Sequence, residues 1–263
     1  MHVTTFASFK GGSGKSTTAI AMASTLIDAG RKSVFLLDLD ERQTSVFRWL
    51  EDTRKIYGGD APSKAVLHGA RSTPGLSTGE AITEIYTILK EASTAFDYCI
   101  IDTKGTQTPL AIAAIQISDL VLIPFQITGI EIEPFITTYM RAKDSAKVKG
   151  AKILGITTRM PNIASTTMKR TRDVLQKYDI EMINGTTQRD GYQQLVFETG
   201  TFSMIADKFT DAARAAPNSA AKRQAMKEVA KVEAASLETA QILQRIGFSK
   251  PTKAERAQRE GAA

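Results

Sequence analysis

Cysteine and histidine are nearly absent from this chain. Its 263 residues hold one cysteine, Cys99, and two histidines, His2 and His68. One thiol cannot close a disulfide within the chain or build a cysteine cage for zinc or an iron–sulfur cluster. Two histidines far apart in sequence do not read as a His-rich metal site. Long apolar runs are missing too: nothing approaches the roughly 18 uninterrupted apolar residues of a membrane-spanning helix. The N-terminus lacks the charged, apolar, then small-residue order of a signal peptide, so the expected location is the cytoplasm. Acids are scarce in one place. Residues 141–177 carry ten Lys/Arg against Asp144 and Asp173, a local charge of +8 in a chain whose formal net charge is +6. That excess points to a polyanionic partner, nucleic acid ahead of membrane; two solvated helix faces are the plainer alternative.

What is present is ordinary globular composition, 42% apolar and 24% charged, which argues against disorder and collagen. The length suits one large α/β domain or two small ones. Apolar, β-branched runs predict strands at 2–9, 33–38, 98–102, 120–125 and 153–157, with shorter ones near 65–68 and 181–183. Helical periodicity is expected at 16–29, 44–57, 80–94, 108–117, 133–149, 165–178 and 218–246. Strands that alternate with helices and are apolar throughout predict a doubly wound α/β fold, a mostly parallel sheet covered by helices on both faces. The expected organisation is one domain over 1–217, a long helix over 218–247 packed on it, and a polar tail over 248–263. Met226, Val229, Ala230, Leu237 and Ala240 are the expected docking stripe of that helix.

The chemistry concentrates at SFKGGSGKST, residues 8–17. This is a variant P-loop: Gly11, Gly12 and Gly14 let backbone N–H groups, with those of Ser13 and Thr17, wrap a phosphate. The helix that follows adds a favourable dipole. Lys15 would reach the β- and γ-phosphates, and the Ser16 hydroxyl would serve Mg²⁺. Lys10 has no evident role in its own loop. It is either solvated or a second cation for a nucleotide, delivered across a dimer.

These residues resemble the deviant Walker A motif of the ParA/MinD family of ATPases, in which the early lysine reaches the partner subunit's phosphates; Lys10 stands there. LLDLDERQTS (36–45) is similar to the family's second acidic motif. The resemblance makes Asp40 the residue that orients the attacking water and Asp38 a supporting Mg²⁺ or Lys15 contact. YCIIDTKG (98–105) resembles the Walker B stretch, so Asp102 would hold Mg²⁺; Lys104 stands where the family usually has proline. GITTRM (155–160) and TTQRDGYQQL (186–195) are similar to segments near the base pocket, which assigns Arg159 and Gln188 to it. The expected cofactors are ATP and Mg²⁺, and the fold implied is a P-loop NTPase of the SIMIBI type.

Within the family, Cys99 lies inside an apolar strand and does not suit a cluster-carrying branch. No helix-turn-helix module precedes the P-loop, so operator binding is not expected. The segment SKPTKAERAQREGAA has no apolar face for a MinD-like membrane anchor. A ParA-type partition or positioning ATPase remains, and SFKGG is also similar to the VirC-type relatives of conjugative transfer. The expected partners are a homodimer in the ATP state, non-specific double-stranded DNA at the nucleoid, and a small DNA-binding adaptor that stimulates hydrolysis. The candidate DNA contacts are Lys147, Lys149, Lys152, Lys169, Arg170, Arg172, Lys222, Arg223 and Lys227. A MinD-like membrane ATPase or a metabolic P-loop enzyme is the alternative.

Overall fold

The computed structural model describes residues 1–30, 33–56, 67–73, 75–161 and 166–248. Seven strands are described: β1 (His2–Phe6), β2 (Val34–Asp38), β3 (Leu67–Arg71), β4 (Tyr98–Asp102), β5 (Leu120–Phe125), β6 (Lys152–Thr157) and β7 (Met182–Ile183). They form one sheet in the order β3-β2-β4-β1-β5-β6-β7, and every pairing is parallel. Parallel neighbours need crossovers, and helices supply them. The described helices are α1 (Lys15–Asp28), α2 (Ser45–Ile56), α3 (Thr78–Ala92), α4 (Pro109–Ile117), α5 (Gly129–Ala146), α6 (Thr166–Lys177), α7 (Asp190–Phe197), α8 (Phe202–Arg214) and α9 (Ser219–Arg245).

Alternation along each strand explains the continuous apolar runs. Leu36 and Ile100 face one core, built with α1, α2, α8 and α9 and containing Trp49, Leu195 and Phe202. Phe35, Leu37 and Ile101 face the opposite side, where α3 and α4 pack. Val121 and Ile123 meet α5 through Phe135 and Tyr139. Both faces of the sheet are therefore buried, and each fully buried Leu, Ile or Phe contributes roughly 1.5–3 kcal/mol.

Several boundaries differ from expectation. β1 stops at Phe6 rather than residue 9, because Ala7 onward already belongs to the phosphate loop. β3 lies over Leu67–Arg71, later than expected; Ala65 falls outside the described residues. α3 starts at Thr78, fixed by a capping box between Ser77 and Glu80. α5 starts at Gly129, a turn ahead of Glu133, and carries Pro134 within it. α7 and α8 are additional to the expected helices. The buried stripe of α9 is Val229, Val232, Ala235, Thr239, Ile242 and Leu243. Of the expected stripe only Val229 belongs to it; Met226, Ala230, Leu237 and Ala240 are exposed, because the docking row is phased through Val232 and Ala235. The tail beyond Phe248 lies outside the described residues.

Candidate nucleotide site

β1 and β4 are neighbours, and the crossover after β1 leads to β2 on one side whereas the crossover after β4 leads to β5 on the other. A crevice opens at the C-terminal ends of strands at such a switch point. The loop from Ala7 to Gly14 crosses it, and α1 follows. Gly14 is the N-cap of α1 with φ of 91°, a left-handed conformation that glycine adopts without strain. Gln126 Nε2 donates to the Gly12 carbonyl at 3.2 Å, and the Thr158 hydroxyl donates to the Ser13 carbonyl at 2.8 Å. In a trans peptide unit the N–H points opposite the C=O, so the N–H groups of Ser13 and Gly14 are turned away from these anchors.

A cavity of about 500 Å³ results, lined by Gly11, Gly12, Ser13, Gly14, Lys15, Ser16, Thr17, Asp40, Arg42, Gln43, Thr103, Lys104, Gly105, Thr106 and Arg159. Lys15 is buried, and desolvation lowers its pKa, opposed by the charges of Asp102 and Asp40. Asp40 Oδ1 accepts from the backbone N–H of Arg42 and of Gln43, each at 3.1 Å, which fixes its carboxylate at the cavity wall. The Ser16 hydroxyl hydrogen-bonds Asp102 Oδ2. Asp102 is buried, its Oδ1 has no hydrogen-bond partner, and burial pushes its pKa up to about 7. An orphaned buried carboxylate oxygen beside a serine hydroxyl is an oxygen donor set that fits a divalent cation such as Mg²⁺.

Asp38 is held by backbone N–H groups. Its Oδ1 accepts from Asp40 N at 3.0 Å, and its Oδ2 accepts from Val46 N and Phe47 N at 3.0 and 3.1 Å. The carboxylate thus caps the first turn of α2, a structural task that occupies both oxygens. Among the described residues, Lys15 is not one of its hydrogen-bond partners. Burial raises its pKa, opposed by these three N–H donors.

Arg159 and Gln188 line a second cavity of about 620 Å³, which shares Gly14, Thr17 and Arg159 with the first. Its floor is made where β6 and β7 continue as paired loops: Gln188 N donates to Met160 O at 2.9 Å, and Met160 N to Thr186 O at 3.0 Å. Sequence reasoning missed what holds this loop. Glu238 of α9 accepts from Thr187 N, Thr187 Oγ1 and Tyr192 OH at 2.9, 2.8 and 2.8 Å. Val196 and Phe197 of α7 form an apolar rim.

Lys10 does not line the phosphate cavity. Its Nζ pairs with Glu131 in the first turn of α5, and Ser8 Oγ accepts from Lys10 N while donating to Lys10 O. The candidate DNA residues divide. Lys147 pairs with Asp144, Lys149 with Asp119, and Lys152 with Glu181, and Arg172 donates to Asn184. Lys169, Arg170, Lys222, Arg223 and Lys227 are exposed and make no ion pair among the described residues.

Residues 2–137 match the family model described as ATPase MipZ. The chain belongs to that family of ParA/MinD-type ATPases. Protein virC1 of Rhizobium radiobacter is 31% identical over 139 residues, 53% of this chain and 55% of that protein. The match thus spans about half the length of that curated relative. The virulence plasmid ParA family protein pGP5-D of Chlamydia psittaci is 24% identical across 72% of this chain and 82% of its own length. Among solved structures, an ATP complex of McdA from Cyanothece aligns with a TM-score of 0.60 at 20% identity, covering 89% of this chain and 96% of that one. MinD of Aquifex aeolicus, in complex with MinC, aligns with a TM-score of 0.60 at 18% identity, covering 96% and 98%. These structures establish the fold, a ParA/MinD-like P-loop NTPase with a long C-terminal helix. Among the described residues, no helix is long and apolar enough to cross a membrane.

Proposed function

We propose that this chain is an ATP-driven switch for partitioning or positioning DNA or a DNA-bound complex. ATP binds between Gly11 and Thr17, two subunits close face to face, and the dimer presents a basic surface that holds double-stranded DNA without reading its sequence. Hydrolysis resets the switch, accelerated by a small DNA-binding adaptor, and the cycle keeps the protein nucleoid-associated. The observation that carries this reading is the position of Lys10. It sits on the phosphate loop yet outside its own subunit's phosphate cavity, held at the rim by Glu131. A cation placed there serves a nucleotide other than its own.

The chain's residues divide the work. The loop N–H groups and Lys15 bind the β- and γ-phosphates. Asp40, fixed by two backbone N–H groups, orients the attacking water by accepting its proton in a hydrogen bond. Lys10, released from Glu131, neutralises phosphate charge across the dimer. Ser16 and Asp102 would hold Mg²⁺, which would offset the negative charge of the phosphates. Arg159 and Gln188 line the neighbouring cavity, where the base lies.

The test is binding to a random-sequence duplex at several salt concentrations, with no nucleotide, ADP, ATP or a slowly hydrolysed analogue, for the wild type and Lys10→Ala. The expected outcome is tight, salt-sensitive binding only with ATP or the analogue, lost in Lys10→Ala. DNA affinity indifferent to nucleotide would sink the switch, and absence of DNA binding in every state would remove the partition reading.

A further inference from the structure

The phosphate cavity contains a cation that the sequence motifs do not account for. Lys104 follows the Walker B strand and lines the cavity together with Lys15, Arg42, Arg159 and Asp40. Its backbone is fixed from both sides. Thr103 donates its N–H and its hydroxyl to the Phe6 carbonyl, at 3.3 and 2.9 Å, and is buried. Gly105 lies directly on the phosphate loop: a Cβ there would sit 3.0 Å from Gly11 Cα and 3.1 Å from Gly11 N. Lys104 is thus clamped between the end of β1 and the start of the loop that wraps the phosphates. It is half-buried and makes no ion pair among the described residues. Its stem has one short segment of chain in which to move, and its head has no acid to hold it elsewhere.

Charge argues for its target. A nucleoside triphosphate carries one more charged phosphoryl group than the diphosphate, and Lys10 is engaged with Glu131 outside the cavity. Lys15 is the one lysine of the phosphate loop that faces the cavity, and its burial works against its own charge. We propose that Lys104 is a further catalytic residue: its ammonium binds the terminal phosphoryl group in cis, so that each subunit distinguishes ATP from ADP before it meets a partner. This rests on the nucleotide-site reading above. Lys104 would then lie against the equatorial oxygens over which the phosphoryl charge is spread as the bond to the leaving oxygen lengthens.

The experiment measures ATP and ADP dissociation constants by equilibrium competition against a fluorescent ADP, at protein concentrations below dimerisation, for the wild type, Lys104→Ala and Lys104→Arg. Single-turnover hydrolysis is followed alongside. The expected result is a loss of about tenfold in ATP affinity for Lys104→Ala, with ADP affinity within about twofold of wild type and slower hydrolysis. Lys104→Arg restores the preference for ATP. An unchanged ratio of ATP to ADP affinity in Lys104→Ala would overturn the proposal, as would an equal loss for both nucleotides. Loss of the preference only at concentrations where the protein dimerises would also overturn it, by assigning Lys104 to the partner's site. Wild-type protein that binds neither nucleotide would instead overturn the nucleotide-site reading itself.

Discussion

In the proposed switch, the Lys10–Glu131 pair would set the resting state. The Lys10 side chain is 37% exposed and that of Glu131 13%, so the pair is partly screened by water and its attraction is modest. Under the proposed mechanism it would need only to hold Lys10 at the rim until a partner's phosphates, more densely charged, compete for it. Glu131→Gln removes the acid and keeps the side chain's shape. Its expected effect is ATP-dependent self-association strengthened by about threefold to tenfold, read by sedimentation at a fixed nucleotide concentration. An unchanged dimer constant would mean that the pair does not restrain Lys10. The P-loop residues that face the cavity, and Asp102, are all legible in the sequence, because glycine spacing and an apolar strand fix their type and order. Glu131 is not legible. The sequence pattern predicts this helix from Glu133, whereas α5 begins at Gly129 and brings Glu131 to Lys10. Asp38 is legible as a buried acid after a strand, but its hydrogen bonds to α2 are not, since only the fold places the first turn of α2 against it.

Helix α9 does the most at the scale of an element. It is 27 residues long, about 40 Å at 1.5 Å per residue, more than twice the length of the five-residue strands β1, β2 and β4. Its lower part packs Val232, Ile242 and Leu243 into the core shared with α1. Between Val232 and Ile242, Glu238 holds the loop that carries Gln188. Glu238→Ala leaves Thr187 N and the Thr187 hydroxyl without this acceptor, while Tyr192 OH keeps Ala235 O and Thr239 Oγ1 as partners, and unfolding in urea should show a loss of about 2–3 kcal/mol. ATP affinity should fall with it, because the wall of the second cavity loosens. A variant as stable as wild type would mean that water replaces the carboxylate without cost. The length of α9 is legible from its freedom from glycine and proline, but its buried stripe is not. An alanine-rich helix offers several candidate rows, and only the neighbours α1, α7 and α8 select one. Two of those neighbours, α7 and α8, are themselves hard to read, the first being only eight residues long. The strands are legible nearly to the residue where both faces are buried, as in β4 and β5.

Across the whole molecule, the charge counted along the sequence separates into two ends. The basic stretch 141–177 crosses the sheet through β6, so its halves do not share a surface. Lys147, Lys149 and Lys152 lie at the end where strands start, and each is paired with an acid. Lys169 and Arg170 begin α6, which descends from the end where β6 finishes, the end that carries the nucleotide cavities. α9 runs the same way. Arg245 meets Asn184 beside β7, and Phe248 packs on His2 and Tyr98 at the strand starts, while Glu228 and Lys231 meet α7. Lys222, Arg223 and Lys227 therefore stand at the nucleotide end, with no acid partner among the described residues. Binding to DNA phosphates needs cations that are not already neutralised, and a nucleotide-gated surface is most simply built at the end where the nucleotide sits. Lys169, Arg170 and the start of α9 are therefore favoured over the residues around the beginning of β6. Lys169→Ala with Arg170→Ala, or Lys222→Ala with Arg223→Ala, should weaken DNA binding in the ATP state. Each pair should reduce the slope of log affinity against log salt by about 2, roughly one for each DNA phosphate no longer neutralised. Lys147, Lys149 and Lys152 changed together to alanine should leave that slope as it was. The reverse pattern would place DNA at the far end of the sheet and require the nucleotide signal to cross the whole domain.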